Sequence, residues 1–373
     1  MTGRCVAHPL LISLANLFVD FRMKGSNHAF LLLTLLPILK FIHKDQQIHG
    51  VLESCMIYKC LDFILKPLKM IAKIGTMMSD PAGQACYVFT PLAVYMVDMQ
   101  ETLLLAAVAG KTLHLTMATY KEFGNSFQHK PRTTLTTLVQ LHALEETLDP
   151  WDLVLYVKAA KKRRLNGIHH PFYRDWPLSD PSKFLTPELL HHWHKMFWDY
   201  DAKWYIHILG GAKIDFQFSI LYPHTGFRQL HEGISNLKQV TGREYCDIQH
   251  YIVPVIADAV PKDFLISIHS LIGFRYLAQA PQISSQTCTE IDLALKNFHD
   301  HKDSIISSSA QTGKGGKVIK NWYIPKLELL QSVTSSIRES GAAIQWTADT
   351  MEQYHITEVK EPSDYSNNHA YKA

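Results

Sequence analysis

The sequence has few cysteines and none of their usual functional spacings. There are six in 373 residues, and no two of them form a C-x-x-C pair. This argues against a zinc site built from closely spaced thiolates and against a disulfide framework. We therefore expect buried free thiols in a reducing compartment. The cysteines are at positions 5, 55, 60, 86, 246 and 288.

The sequence also lacks a long hydrophobic run. Its most apolar stretch, residues 28–42, is shorter than the roughly 20 residues that cross a bilayer, and Pro37 interrupts it. No charged segment followed by a small-residue cleavage site opens the chain. We expect no membrane partner and an intracellular location, nuclear or cytoplasmic.

Net charge is low as well. The formal charge is +3, with 47% hydrophobic and 19% charged residues, which is typical of a packed globular protein and does not by itself indicate a nucleic-acid partner. The basic residues are instead clustered locally. The first run contains Lys158, Lys161, Lys162, Arg163 and Arg164, and the second contains Lys314, Lys317 and Lys320.

Two interpretations of these basic runs stay open. The first run lies at the end of a predicted helix, where cations favour the negative end of the dipole, and this is a sufficient structural reason for the run. Their density also suits DNA phosphates. The aromatic residues Phe172, Tyr173 and Trp176 follow the first run closely and are candidates for stacking on bases.

Hydrophobic periodicity predicts a mixed α/β, α-rich fold. The first part alternates predicted strands and helices, and an extended linker or arm covers residues 169–187 because it is rich in Pro, Asp and Ser. We expect strands in 8–18, 28–36 and 84–98, and helices at 51–74, 101–108, 132–147 and 151–165.

A histidine- and tryptophan-rich helix is predicted next. Thr186 is the expected N-cap and Pro187 the first helical residue. A short strand is expected at 214–221, followed by helices at 243–260, 262–277, 288–307, 325–340 and 343–355. The expected domains are 1–130, 131–185 (helical and basic linker), 186–360 (helical) and 361–373 (a frayed tail).

No complete metal or nucleotide site follows from the motifs. His191 and His194 share a helix face, but no H-E-x-x-H spacing accompanies them, so packing is the expectation. A solvated helix face is expected for residues 299–301. The glycine-rich loop at 313–317 is followed by Val318 and lacks the phosphate-loop pattern, so it is expected to be a flexible basic loop.

Asp98 and Glu244 each precede or open a predicted helix, where an acid is stabilising without any catalytic role. G-x-S-x-G is absent, and two separated acids do not make a two-metal site. We expect no small-molecule cofactor and no bound metal, with Mg²⁺ needed only if an active site were complete.

Four long segments of the chain resemble transposases of fungal Plavaka-type elements, which are related to the CACTA group. They include HPLLISLAN at 8–16 and the run that begins FYRDW at 172–204. Two more lie at 214–261 and 321–333, and the later part resembles a fungal domain of unknown function that is often attached to these elements.

The resemblance implies an RNase H-like core in which three acids hold two divalent metals. The first acid belongs in a Gly-Ser-Asp-Lys-Thr-like strand just before the segment that matches residues 1–16. Asp98 resembles the second acid and Glu244 the third. Glu188 and His191 align with an acid-or-Cys-x-x-His motif.

The family's Cys-x-x-Cys zinc element is absent from residues 109–118. The resemblance therefore implies a product truncated at the N-terminus or decayed, with a partial RNase H-like sheet followed by a mainly helical domain. We expect a transposase-derived, DNA-associated protein without strand-transfer activity. The alternatives are a non-catalytic protein-interaction scaffold and a metal-dependent DNA nuclease, which needs three converging acids.

Overall fold

The computed structural model describes residues 7–39, 41, 46–222, 225–237, 240, 242–348, 351, 354, 356 and 360. The chain divides into two compact units. Unit 1 comprises Met1–Met117, Lys130–Thr186 and Gln345–Ala373, and unit 2 comprises Ala118–His129 and Pro187–Ile344. Among the described residues, no helix is both long and apolar enough to span a bilayer. The predicted tail at 361–373 lies outside the described residues.

Unit 1 contains two antiparallel strand pairs, which are the only sheets in the described part of the chain. Strands β1 (Ala7–Ile12) and β2 (Leu31–Pro37) pair with His8 opposite Leu36. Strands β3 (Thr76–Ser79) and β4 (Ala85–Val88) form the second pair. The predicted mixed α/β, α-rich class is confirmed, but only the first residues of the predicted strand region at 84–98 form a strand.

Seven helices of unit 1 are described, and proline marks one of the breaks between them. The predicted helix at 51–74 is two helices, because Pro67 lacks a backbone N–H and is tolerated only in a first turn. The helices are α1 (Val19–Arg22), α2 (Gln46–Ile64), α3 (Lys66–Ile74), α4 (Met99–Leu105), α5 (Thr134–Glu145), α6 (Leu153–Lys162) and α7 (Pro181–Phe184).

Residues 169–186 lie in unit 1 and supply several side chains to its core, so the predicted extended arm is wrong. Phe172, Tyr173 and Trp176 are buried. The Tyr173 hydroxyl donates to the Ala106 oxygen at 3.2 Å, and the Trp176 indole N–H donates to the Thr90 oxygen at 3.0 Å. Buried aromatic side chains stabilise the unit through apolar contact, and these three rings are therefore not accessible for stacking on bases.

A cluster of charges holds the same segment against α2 and α3. The buried Lys69 ammonium lies 2.5 Å from Asp62 and 2.7 Å from Asp175. Arg174 also pairs with Asp62, at 2.7 Å. Two acids and two bases in contact satisfy the buried ammonium, which would otherwise carry a large desolvation cost.

Unit 2 is mainly helical in its described part. A continuous helix over 189–209 contains two π-helical stretches, Leu189–His194 and Phe197–Ala202, and ends in α8 (Lys203–Leu209). The further helices are α9 (Gly211–Ser219), α10 (Gly242–Ile256), α11 (Lys262–Ala278), α12 (Ser285–His301), α13 (Asp303–Ser307), α14 (Pro325–Leu330) and α15 (Val333–Ser340).

Two local predictions in unit 2 are corrected. The N-cap of the 189–209 helix is Glu188 rather than Thr186, because the Glu188 carboxylate accepts from the Leu190 N–H at 2.7 Å. The predicted strand at 214–221 is helix α9. Its apolar residues Ile214 and Phe218 are buried at a spacing of four, so helical periodicity prevails over the apparent alternation.

The 189–209 helix packs against α11 at the centre of unit 2. Trp193 meets Phe274 edge to face, with ring centroids 5.8 Å apart. In the same interface the fully buried Arg275 guanidinium lies 2.6 Å from the Asp201 carboxylate and 5.6 Å from the Phe197 ring centroid. A buried ion pair thus fixes how these two helices meet.

We predict that Arg275→Met, which leaves Asp201 buried without its partner, lowers the free energy of unfolding by about 3–5 kcal/mol. Asp201→Leu combined with Arg275→Met should recover most of that loss, because it leaves no uncompensated charge. Urea unfolding measures both variants. Lys296→Met is the control, since it breaks an exposed pair with Asp300 that contributes about 0–1 kcal/mol. Equal losses in Arg275→Met and Lys296→Met would contradict the prediction.

Candidate nucleic-acid interface

The first basic run ends α6, which forms an antiparallel hairpin with α5. Thr133 caps α5 by accepting from the Thr136 N–H at 3.1 Å, and Asp152 caps α6 by accepting from the Leu155 N–H at 3.2 Å. One face of each helix is buried in a shared seam that contains Leu141, Leu144, Tyr156, Ala160 and Leu165. The opposite face of α6 is left to solvent.

That outer face changes from apolar to basic along the helix. Trp151 is 68% exposed and Leu155 is 52% exposed. Lys158 and Lys162 follow at helical spacing and are exposed. The Lys59 ammonium lies 5.7 Å from the Trp151 ring centroid, which adds a cation beside the aromatic end.

Charge is segregated along the hairpin. Its acids, Glu145, Glu146, Asp149 and Asp152, lie at the end where the loop joins the two helices. Residues 134–144, which reach the other end, contain no acid. Asp180 does approach that end, but it already accepts from the Thr134 N–H at 3.2 Å and the Ser182 N–H at 2.9 Å.

The open end of the hairpin is therefore a concentration of positive charge. Within the described part of the chain, Lys158, Lys161, Lys162 and Arg163 are exposed and have no acidic partner. Arg163 makes only a 3.4 Å contact with the Gln140 oxygen. We call these four residues the hairpin basic face.

Arg164, the last member of the predicted run, points back toward the unit. It is half-buried with a φ of +64°, and its guanidinium donates to the Met117 oxygen at 3.0 Å. Its own backbone oxygen accepts from the Ala109 N–H at 2.9 Å. Arg164 thus anchors the end of α6 to the segment around Met117 in the same unit.

The second basic run is a hydrogen-bonded turn in unit 2, where a flexible loop was predicted. Thr312 and Val318 form an isolated bridge, and the Gly313 N–H donates to the Lys317 oxygen at 2.8 Å. Gly315 and Gly316 have φ near +75°, which a side chain rarely permits. Lys317 and Lys320 are exposed at this turn, which also includes the backbone of Lys314.

Asp98 lies in unit 1, where it is the N-cap of α4. Its carboxylate accepts from the Glu101 N–H at 2.8 Å. The Asp-x-x-Glu spacing is that of a capping box. Burial raises the pKa of the Glu101 carboxyl to about 7, and the nearby Asp98 charge adds to that increase.

Glu244 and His191 lie in unit 2. Glu244 is buried in the first turn of α10 and forms an ion pair with Arg228. The His191 ring nitrogen Nδ1 lies 2.7 Å from the Glu188 carboxylate, which also accepts from backbone N–H groups of the same turn. The acid-x-x-His motif is therefore a helix cap with an oriented imidazole.

His192, His194 and His299 of the predicted groups are buried in unit 2, whereas His301 is only half-buried. His194 is buried, with its Nδ1 3.4 Å from the Gln249 amide. His299 is also buried, where a solvated face was predicted. Burial lowers its pKa to about 3, and the Lys302 charge adds to that decrease. Among the described residues, no group of three or more His, Cys, Asp or Glu side chains could hold a metal ion.

Comparison with known proteins gives one family. A family model described as Plavaka transposase matches residues 1–205, which is more than half of the chain. This range includes the hairpin basic face, Asp98 and His191, whereas Glu244 and the turn at 313–320 lie beyond it. No curated protein and no solved structure matches the chain with significance.

We predict that Glu101→Gln changes the pH dependence of stability. Because the folded pKa lies above its ordinary value of 4.5, the protonated form stabilises the fold. That stabilisation is complete below about pH 4.5 and is lost as pH rises to about 7. Relative to the variant, the wild type should therefore lose about 3 kcal/mol over this range. Urea unfolding from pH 4.5 to 7.5 measures the difference, with the exposed Glu146→Gln as control. A constant difference across this range would contradict the prediction.

Proposed function

The chain belongs to the Plavaka transposase family, and on that premise we propose that it is a transposase-derived protein that associates with DNA through the hairpin basic face, without strand-transfer activity of its own. The observation that carries the proposal is the cluster of exposed cations at one end of the α5–α6 hairpin with no acidic partner among the described residues.

Phosphate contact is the chemistry that such a face suits best. Lysine and arginine that neutralise phosphates release condensed counterions, which provides most of the affinity of non-specific DNA binding. A surface lysine paired with an acid would first have to break that pair. The four cations of the hairpin basic face avoid this cost, and Trp151 and Leu155 continue the surface with apolar area.

The absence of strand transfer is proposed from the roles of the two candidate acids. Two-metal cleavage needs carboxylates that converge on both ions. The Asp98 carboxylate caps α4, and the Glu244 carboxylate is buried beside Arg228. Each acid therefore has a structural role within its own unit. The antiparallel β1–β2 pair supports the further proposal that unit 1 contains part of an RNase H-like sheet.

For DNA binding, we predict that Lys158→Gln combined with Lys162→Gln weakens binding to a mixed-sequence 20-base-pair duplex. The slope of log affinity against log salt should fall by about 0.9 for each phosphate that the variant no longer neutralises. Fluorescence anisotropy between 50 and 200 mM salt measures both quantities.

The matched control is Lys66→Gln combined with Lys73→Gln on α3, which removes two exposed positive charges elsewhere in unit 1. The control should bind like the wild type. Unchanged binding by the α6 variant, or an equal loss in the control, would count against the hairpin basic face.

For catalysis, we predict no nicking of supercoiled plasmid by the wild type with Mg²⁺ or Mn²⁺. Gel electrophoresis after prolonged incubation detects a single nick per plasmid. Nicking by the wild type that Asp98→Asn abolishes would overturn the proposed lack of activity, whereas nicking that persists in Asp98→Asn and Glu244→Gln would point to a contaminating nuclease.

A further inference from the structure

Unit 2 contains a cleft of about 780 Å³ beside the 189–209 helix. One wall is the helix from Trp198 to His207. The other is formed by residues that flank the basic turn, with Ser235 and Leu237 beside them. They are residues 310–313 together with Ile319, Asn321, Tyr323 and Ile324. Ligand sites have volumes of about 300–1,000 Å³, so the cleft is large enough for a small organic ligand.

The helical wall is partly π-helical. The stretch Phe197–Ala202 departs from α-helical geometry, and such stretches are frequent at functional sites. Asp201 points into the core toward Arg275, while its neighbours Tyr200 and Ala202 line the cleft. The distortion thus lies where the helix contributes to both the core and the cleft.

Aromatic rings line both walls. Trp198 and Tyr200 are half-buried on the helix, and Tyr323 comes from the opposite segment, whereas the lining residue Trp204 is buried and offers no stacking face. Tyr323 is 42% exposed, so its ring is accessible to a ligand. Planar nucleobases stack on such rings regardless of their sequence.

A polar group on the wall also lacks a partner. The Gln311 amide donates through its nitrogen to the Asn321 oxygen. Its own oxygen Oε1 has no hydrogen-bond partner among the described residues, and the side chain is only 5% exposed. A buried acceptor without a donor is unfavourable. The oxygen is itself closed to solvent, so Gln311 holds this wall together through Asn321 and is not a contact for a base.

The rim of the cleft is positive. Lys203 lies on the helical wall, and the exposed Lys317 and Lys320 lie on the adjacent turn. The acid on the wall is Asp199, and it is already paired with Lys195 at 3.6 Å and Lys326 at 3.4 Å. The unpaired charge at the rim therefore favours a ligand that carries phosphate.

We propose that this cleft binds one unstacked nucleotide of single-stranded DNA, with its base against the aromatic wall and its phosphates at the rim formed by Lys203, Lys317 and Lys320. The inference rests on the proposed DNA association in one respect, which is that the nucleotide belongs to DNA. A free nucleotide has the same chemistry, and the experiment distinguishes the two sources.

The test uses an oligothymidylate of twelve nucleotides in which one base is replaced by 2-aminopurine. The fluorescence of 2-aminopurine is quenched when this base stacks. Wild-type protein should quench it. Tyr323→Ala should weaken binding about five- to hundredfold, as expected when one base no longer stacks. Lys203→Gln should weaken it less and should reduce its salt dependence. Phe216→Ala and Lys213→Gln are the matched controls, because both residues are exposed on α9 outside the cleft.

Each result has a defined meaning. Quenching that is abolished in Tyr323→Ala and retained in Phe216→Ala supports the cleft. No quenching, or an equal loss in both variants, overturns it even if duplex binding by the hairpin basic face is intact. Quenching by a wild-type protein that binds no duplex supports the cleft and overturns the proposed function. Binding of 2-aminopurine deoxynucleotide without binding of the oligonucleotide overturns the single-strand source.

Discussion

The buried ion pair between Asp201 and Arg275 is the constraint on which unit 2 depends. Both side chains are almost fully removed from water, so each would be strongly destabilising without the other. The pair therefore restricts how the 189–209 helix can turn against α11. With Asp201 directed inward, Tyr200 and Lys203 come to line the cleft. The interior packing and the accessible surface of this helix are thus determined together.

In unit 1 the exposed basic surface is positioned by the packing of apolar side chains. Its interior is aromatic and aliphatic, and the segment at 169–187 supplies several of the buried rings. Burial of this segment, with Arg164 anchored to the Met117 oxygen, fixes the end of α6. The seam between α5 and α6 then leaves the hairpin basic face in solvent. Acids and bases are separated here by the length of a short helix, and this separation is the basis of the proposed DNA contact.

Much of the secondary structure can be predicted from the sequence, and the errors have physical causes. The predicted helix at 262–277 is α11, which ends one residue later, and Asp263 in its first turn is an acid where the helix dipole favours one. Helix α9 is predicted as a strand because its apolar residues, in I-D-F-Q-F-S-I-L, fit a period of two residues as well as they fit a period of four. The segment at 169–187 is predicted as an extended arm because it contains many turn-forming Pro and Asp residues and no regular hydrophobic period. Its aromatic side chains are nevertheless buried.

The sequence by itself determined the α-rich class, the family and the two basic runs, since these depend on composition, local periodicity and long matching segments. Only the tertiary structure decided what each charged residue does. Asp98 caps a helix and Arg164 is turned inward. The cleft brings Tyr200 and Tyr323 to facing walls although they are far apart in the chain. Such pairings depend on long-range packing and burial, which a linear pattern of residues does not specify.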